Sequence, residues 1–188
     1  MRLIFLHITK PSLRLFFYGS KRKREGCLDC SDYFMAVAVL TSKMSEDPNT
    51  QVGACIVNQD NKVVSTGHNQ MPKGGKDKLP WEQKKEDEHD TKYPYVCHAE
   101  LNAIMNKNSA DVKGCTIYVT LFPCNECAKL IIQGGIKAVV YLSDRYKDRD
   151  STIASKKMLN LAGIPYEQFK PKGAAEIVIN IRERAEGE

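Results

Sequence analysis

The sequence predicts an α/β fold, a three-layer α/β/α sandwich built on a mixed five-stranded sheet. Three observations predict it. Apolar residues recur at helical spacing in several separate stretches, and β-branched runs of strand length lie between them. Two of those runs are joined by a short turn, so an antiparallel hairpin precedes strands that alternate with helices. The 188 residues suffice for one domain with a full core and are crowded for two. Hydrophobic residues at 42% and charged residues at 27% are the usual proportions of a globular chain. No apolar run approaches the roughly 20 residues of a membrane span, so no membrane partner is expected.

Residues 1–30 stand apart as a basic leader outside the core. They hold seven bases, among them the run Lys21-Arg22-Lys23-Arg24, against the acids Glu25 and Asp29. The formal net charge of +5 therefore belongs to the leader, and the remaining body is neutral. A nucleic-acid-binding body would carry its own basic stripe, so no nucleic-acid partner is expected. Three readings of the leader compete: a mitochondrial-type presequence, an amphipathic surface segment, and a variable leader without fixed structure. The last is the expectation, with the leader dispensable and the protein cytoplasmic. The basic run is a weak match to a nuclear signal. Seven cysteines, an odd number, argue for a reducing intracellular setting over a disulfide framework.

The domain is expected over residues 31–170. Ser31 is expected to cap a helix carrying Tyr33, Phe34, Val37, Ala38 and Leu40 at helical spacing. That helix ends before Asp47-Pro48-Asn49, because Pro48 disfavours helix at the preceding residue. Residues 52–58 and 62–67 read as the hairpin strands, joined by Gln59-Asp60-Asn61. Residues 70–96 are long for a connection and read as an ordered regulatory or interface insertion, with Trp81 and Tyr93-Pro94-Tyr95 arguing for order. A helix follows over 99–106, with Leu101, Ile104 and Met105 expected on its buried face. A strand over 115–120 leads through residues 121–123 to a helix that starts at Cys124 and stops at Gly134-Gly135. A buried strand of parallel type (137–142), a polar loop, a helix (151–161) closed by Gly163 and a short strand (166–169) complete the domain. Residues 171–188 are expected to hold an edge element and a frayed tail.

Chemistry concentrates in two stretches, Cys97-His98-Ala99-Glu100 and Pro123-Cys124-Asn125-Glu126-Cys127. His98, Cys124 and Cys127 are good zinc ligands, and two thiolates with one imidazole leave the fourth tetrahedral position open, as a catalytic zinc requires. Alone, the Cys-x-x-Cys pair also fits a redox pair or half of a structural zinc knuckle, and a lone histidine is more often a satisfied core residue. The two halves together, with a proline before Cys124 and a strand between them, point to one catalytic metal. Glu100, two residues past His98, is badly placed as a ligand and well placed to face a water in the open position. The pattern H-x-E…P-C-x-x-C is that of zinc deaminases, with the glutamate as proton shuttle. A non-enzymatic zinc-binding module is the contrary reading, and Glu100 beside an open metal position argues against it. For a nucleotide substrate, the polar loop Ser143-Asp144-Arg145-Tyr146-Lys147 and Asn49 are the candidates for contacting a 5′-phosphate.

On these motifs the sequence resembles the cytidine-deaminase-like superfamily and, within it, the deoxycytidylate (dCMP) deaminase family of eukaryotes and phages. The resemblance covers about residues 32–169. It also rests on Tyr33-Phe34-Met35, Asp47-Pro48-Asn49, the strand at 52–58 and the run from Lys92 through His98 to Ile104. It implies the cytidine-deaminase-like fold and hydrolytic conversion of dCMP to dUMP and ammonia, supplying dUMP for dTMP synthesis. One catalytic zinc per subunit is implied on His98, Cys124 and Cys127. Glu100 is implied to move protons to N3 and to the leaving ammonia, with the backbone at Ala99 and the Cys124 region holding the base carbonyl and Asn69 contacting the sugar. The resemblance further implies a homohexamer activated by dCTP and inhibited by dTTP, with the effector near Asn69, Gln70, Lys73 and Gly74. Where the family has G-Y-N-G-M-P-x-G, this chain reads Gly67-His68-Asn69-Gln70-Met71-Pro72-Lys73-Gly74, and Gln70 adds a side chain where a triphosphate needs room. Cys30 and Ser31 also depart from the family's usual aromatic followed by Pro or Asp. Phage relatives can carry a second, structural zinc, for which Cys27 and Cys30 with His89 or Cys55 come to mind. Cys55 lies mid-strand and better fits a small buried apolar residue, so a single ion is expected. The alternative substrates on this fold are free cytidine, deoxycytidine, cytosine and transfer RNA adenosine.

Overall fold

Asp29 opens the first helix, in place of the expected Ser31. Its carboxylate accepts from the Ser31 backbone N–H at 2.9 Å and from the Ser31 hydroxyl at 2.8 Å, so α1 spans Cys30–Ser42. An anionic cap both satisfies a free N–H and faces the positive end of the helix dipole, which is why it outcompetes the serine two positions on. The ordered domain therefore begins ahead of residue 31. The structure, a computed structural model, describes residues 27–172. The expectations for the leader up to residue 26 and for the edge element and tail after residue 172 lie outside the described residues.

The sheet is mixed and five-stranded, in the order β2-β1-β3-β4-β5. β1 (Gly53–Val57) and β2 (Val63–His68) form the expected antiparallel hairpin. Asn61 takes the left-handed conformation in its turn, with φ 59°, a conformation that asparagine tolerates better than most residues. β3 (Thr116–Leu121) runs antiparallel to the other edge of β1, and β4 (Ala138–Ser143) and β5 (Tyr166–Gln168) continue in parallel.

Every residue of β1 is buried, because the strand is covered on both faces. Successive side chains point to opposite faces, so Ala54 and Ile56 enter one core and Cys55 and Val57 the other. The second core is closed by Phe34, Met35 and Ala38 of α1. The first is closed by α2 (Ala99–Met105), α3 (Asn125–Gln133) and α4 (Asp150–Leu161), through Ala99, Ala103, Ala128, Ile131 and Leu159. This is the three-layer arrangement the sequence predicts. α3 ends at Gly134, with Gly135 at φ 71° just beyond it, where a residue with a side chain would be strained.

α2 corrects one expectation. Leu101, Ile104 and Met105 were expected on the buried face, yet the fully buried residues are Ala99, Glu100, Asn102 and Ala103; Ile104 packs partly buried against the core, Leu101 is half-buried, and Met105 is 71% exposed. The cause is the closeness of α2 to β2. A Cβ at Gly67 would lie 2.3 Å from the Ala103 nitrogen and 2.4 Å from the Ala99 oxygen, so only small or functional residues fit that face. Ser65 donates from Oγ to the Ala103 carbonyl at 2.6 Å, and Asn102 donates to the carbonyls of His68 and Cys97 at 2.8 and 3.2 Å. These bonds fix the helix that carries Glu100.

Residues 70–96 are ordered but almost without regular structure, apart from a 3-10 turn at Glu88–Asp90. Gln70 and Cys97 exchange backbone hydrogen bonds at 3.0 and 2.9 Å. The Lys92 N–H donates to the Glu82 carbonyl at 2.9 Å, and the Tyr95 hydroxyl donates to the His89 carbonyl at 3.1 Å.

Gly67→Ala should drive α2 off the sheet. Overpacking of this kind costs about 1–3 kcal/mol, and the loss is read as a lower urea midpoint; a midpoint equal to the parent's would contradict the close approach.

Candidate active site

Two helix starts converge at the same end of the sheet. His98 is the N-cap of α2 and Cys124 the N-cap of α3, both with extended backbone and neither with a side-chain capping bond. A residue that usually turns back to cap its helix here leaves its side chain free to point outward. Cys127, one turn into α3, faces the same point. The His98 Nδ1 lies 3.4 Å from the Sγ of Cys124 and 3.4 Å from the Sγ of Cys127, and the three donor atoms all lie within 4.8 Å of one another.

That spacing fits zinc. Tetrahedral coordination with the usual zinc–sulfur and zinc–nitrogen bond lengths puts nitrogen and sulfur ligands about 3.6 Å apart. The electrostatics also fit. Hydrogen bonds from Cys127 and from His98 bring the Cys124 thiol down to about 4, against the opposing effect of burial, so Cys124 is a thiolate at neutral pH. The hydrogen bond with Cys124 holds the His98 imidazole up at about 9. Cys127 is the thiol of the pair, pushed up by its hydrogen bond with Cys124 and by burial. Cation binding displaces such protons. Among the described residues this is the one group of three or more His, Cys, Asp or Glu side chains placed to hold a metal; Cys27 and Cys30 are exposed and Cys55 lies buried in β1.

Glu100 is 4% exposed. Burial raises its carboxyl, and His98 partly opposes that rise. A carboxyl raised above its ordinary range is better suited to both accepting and giving a proton. It lies at a cleft of ≈ 380 Å³ whose lining includes His98, Ala99, Glu100 and Cys124, within the size range of small-molecule sites.

The other expected site residues divide. Ala99, Asn69 and Tyr146 line the cleft. Asn69 spends its amide on the fold: it accepts from the Val52 N–H at 2.8 Å and donates to the Thr50 carbonyl at 2.9 Å and to Asp47 at 3.2 Å. Asn49 is outside the lining, and its amide donates to the Trp81 carbonyl at 3.2 Å. Gln70 is held by its backbone bonds to Cys97. Lys73 and Gly74 are exposed and also outside the lining, with Gly74 at φ 85°.

Sequence reasoning gave no site role to Asp47, Lys92 or Arg149, all of which line the cleft. Arg149 packs its guanidinium 3.9 Å from the centre of the Tyr146 ring, and Arg145 packs at 4.9 Å. Lys92 begins the run that carries the family resemblance, a signal that was present but unread. Arg149 lay just past the polar loop, with nothing in its spacing to mark it.

The α/β/α fold, with a buried glutamate beside a Cys₂His zinc site, defines a zinc-dependent deaminase. The chain belongs to the cytidine and deoxycytidylate deaminase family, whose zinc-binding region matches residues 28–143. Deoxycytidylate deaminase of Homo sapiens is 59% identical over 162 residues, spanning 86% of this chain and 90% of the relative. The probable deoxycytidylate deaminase of Drosophila melanogaster is 48% identical over 80% of this chain and 77% of its own length. The crystal structure of dCMP deaminase from the cyanophage S-TIM5 in complex with dCMP and dUMP superposes with a TM-score of 0.58 at 28% identity, covering 73% of this chain and 95% of that one.

Glu100→Gln keeps the shape of the side chain and all three ligands. Zinc content should stay at the parent level while deamination falls at least about a hundredfold, the lower end of general acid–base contributions; near-normal turnover would remove Glu100 from the chemistry.

Proposed function

We infer that this chain catalyses the zinc-dependent hydrolytic deamination of dCMP to dUMP and ammonia. The observation that carries the reaction is the buried Glu100 carboxyl beside the His98, Cys124 and Cys127 ligand set. The substrate is supported by the relatives named deoxycytidylate deaminase and by the structural neighbour that holds dCMP and dUMP.

Bound by the three ligands, zinc supplies a nucleophile from water at neutral pH by lowering the water's pKa to about 7. Glu100 would take one proton from the attacking water and give it to N3 of the cytosine as oxygen adds at C4. It would then take the second proton from the hydroxyl now on C4 and give it to the amine, so that the C4–N bond breaks, ammonia leaves and the C4 carbonyl forms. Ala99 lies in the first turn of α2, where N–H groups lack intrahelical partners, and its N–H holds the base carbonyl. Burial keeps Glu100 away from bulk water, so its proton goes to the substrate.

The nucleotide's phosphate lies toward Tyr146 and Arg149. Arg149 brings a permanent positive charge to the cleft wall, and its stacking on Tyr146 holds the guanidinium in one orientation. The neutral body makes a transfer RNA substrate the weaker reading. No described helix is long and apolar enough to cross a membrane; the cytoplasmic reading rests on a dispensable leader, and the odd number of cysteines favours a reducing setting. dCMP should be turned over at least about tenfold more efficiently than deoxycytidine, and Arg149→Ala should cost dCMP roughly tenfold to a hundredfold in kcat/KM, the range for losing a hydrogen bond to a charged group. Equal efficiency on dCMP and deoxycytidine would overturn the phosphate contact, and preference for transfer RNA would overturn the substrate.

The domain over residues 31–170 is read as a hexamer subunit regulated through residues 70–96, with dCTP activating and dTTP inhibiting near Asn69, Gln70, Lys73 and Gly74. The link to catalysis is short: Gln70 is hydrogen-bonded to Cys97, the residue before the ligand His98. A dCMP saturation curve should be sigmoidal and straighten with dCTP, with a coupling of about 1–3 kcal/mol, and the mass in solution should be that of six chains. A hyperbolic curve indifferent to both triphosphates would remove the regulatory reading and leave the catalytic one standing.

A further inference from the structure

One buried carboxylate gathers the loops around the cleft mouth. Asp47 is 2% exposed. Its Oδ1 accepts the backbone N–H groups of Asn49 and Thr50 at 2.8 and 3.2 Å. Its Oδ2 accepts the Asn69 amide at 3.2 Å and forms an ion pair with the Lys92 ammonium. Four donors fill the acceptor positions of an ionised carboxylate. The side chains of the pair are 1% exposed for Asp47 and 6% for Lys92, so the positive partner offsets a charge that burial would otherwise penalise severely.

The partners come from three distant stretches of chain. Asn49 and Thr50 belong to the α1–β1 connection, Asn69 ends the hairpin, and Lys92 closes the irregular segment before His98. A fourth stretch joins through Thr50, whose hydroxyl accepts from Arg145 at 3.2 Å. Arg145 stacks on Tyr146, and Tyr146 in turn carries Arg149. Asp47, Thr50, Asn69 and Lys92 all line the cleft, but none of them is a zinc ligand or the proton shuttle.

We propose that Asp47 and Lys92 are positioning residues for nucleotide binding: their buried pair holds Thr50 and Asn69, and through Arg145 the Tyr146–Arg149 wall, in the arrangement that receives dCMP. This rests on the reading of dCMP as substrate. Because the pair shapes walls that touch the substrate equally in its ground and transition states, its loss raises KM and leaves kcat nearly unchanged. A role in stability alone would lower the melting temperature without that split.

The test compares the parent with Asp47→Asn, Lys92→Met and Lys92→Arg, measuring zinc per chain, melting temperature, and KM and kcat for dCMP well below melting. Asp47→Asn and Lys92→Met should raise KM by about tenfold or more, with kcat within about threefold of the parent and zinc retained. Lys92→Arg keeps the charge and should raise KM less. If Lys92→Met does not accumulate as folded protein, Asp47→Asn and Lys92→Arg decide the matter. Folded variants with a lower melting temperature and parental KM would overturn the proposal, as would joint loss of zinc and kcat. A parent protein that does not turn over dCMP would instead overturn the substrate on which the proposal rests.

Discussion

The geometry of this protein depends on two helices beginning at the same end of one sheet. His98 and Cys124 occupy their N-cap positions, and a residue there has extended backbone while the helix that follows is fixed against the core. Each ligand is therefore aimed by a whole helix, so its direction does not depend on a flexible loop. The core on that side of the sheet sets the relative position of the helices: Ala99 and Ala103 of α2 and Ala128 and Ile131 of α3 are buried against Ala54, Ile56, Ile117 and Val119. Small residues on α2 and Gly67 on β2 bring the helix close enough for Glu100 to reach the ligand set. Catalytic geometry and core packing are one constraint here.

The price of this design is buried polarity. Glu100, Asp47 and Lys92 are all almost fully enclosed. Asp47 and Lys92 answer each other, and the remaining acceptor capacity of Asp47 goes to backbone and amide donors. Among the described residues Glu100 forms no such ion pair; burial raises its carboxyl, and the nearby His98 only moderates the rise. The contrast separates the two acids by role. Asp47 is spent on four donors that tie the surrounding loops together, whereas Glu100 sits beside the ligand set, where its raised carboxyl serves proton exchange.

Much of this was legible in the sequence. The hairpin, the alternation that follows and the ligand set follow from periodicity and from motif spacing, which are local properties. The misreadings have a shared cause in contacts that local patterns do not encode. Ser31 was a reasonable cap until the carboxylate of Asp29 proved able to reach the Ser31 N–H. Met105 fits a helical stripe, but the surface α2 packs on has a glycine where its closest approach falls, so alanines take the interior. Asn69 was read as a sugar contact, and it does line the cleft, but its amide also braces the 47–52 connection, a contact 17 to 22 residues away in the chain. Lys92 and Asp47 are 45 residues apart, and no spacing rule connects them.

The cysteines show how the fold chooses a metal site from chemically identical side chains. Cys55, mid-strand in β1, is fully buried, and burial alone pushes its thiol up to about 12. Cys115 is raised in the same direction, first by burial and then by Asp111. Among the described residues neither belongs to a group of three or more side chains placed to hold a metal, so both behave as small apolar residues. Cys124 differs because the chain supplies it with hydrogen bonds from Cys127 and His98 and sets it at the start of α3, where the helix dipole favours a negative sulfur. Cys127 keeps its proton until a cation replaces it. Selection among the thiols therefore comes from placement: two helix starts and one imidazole turn one Cys-x-x-Cys pair into a ligand set, while Cys55 and Cys115, both buried, remain protonated core residues.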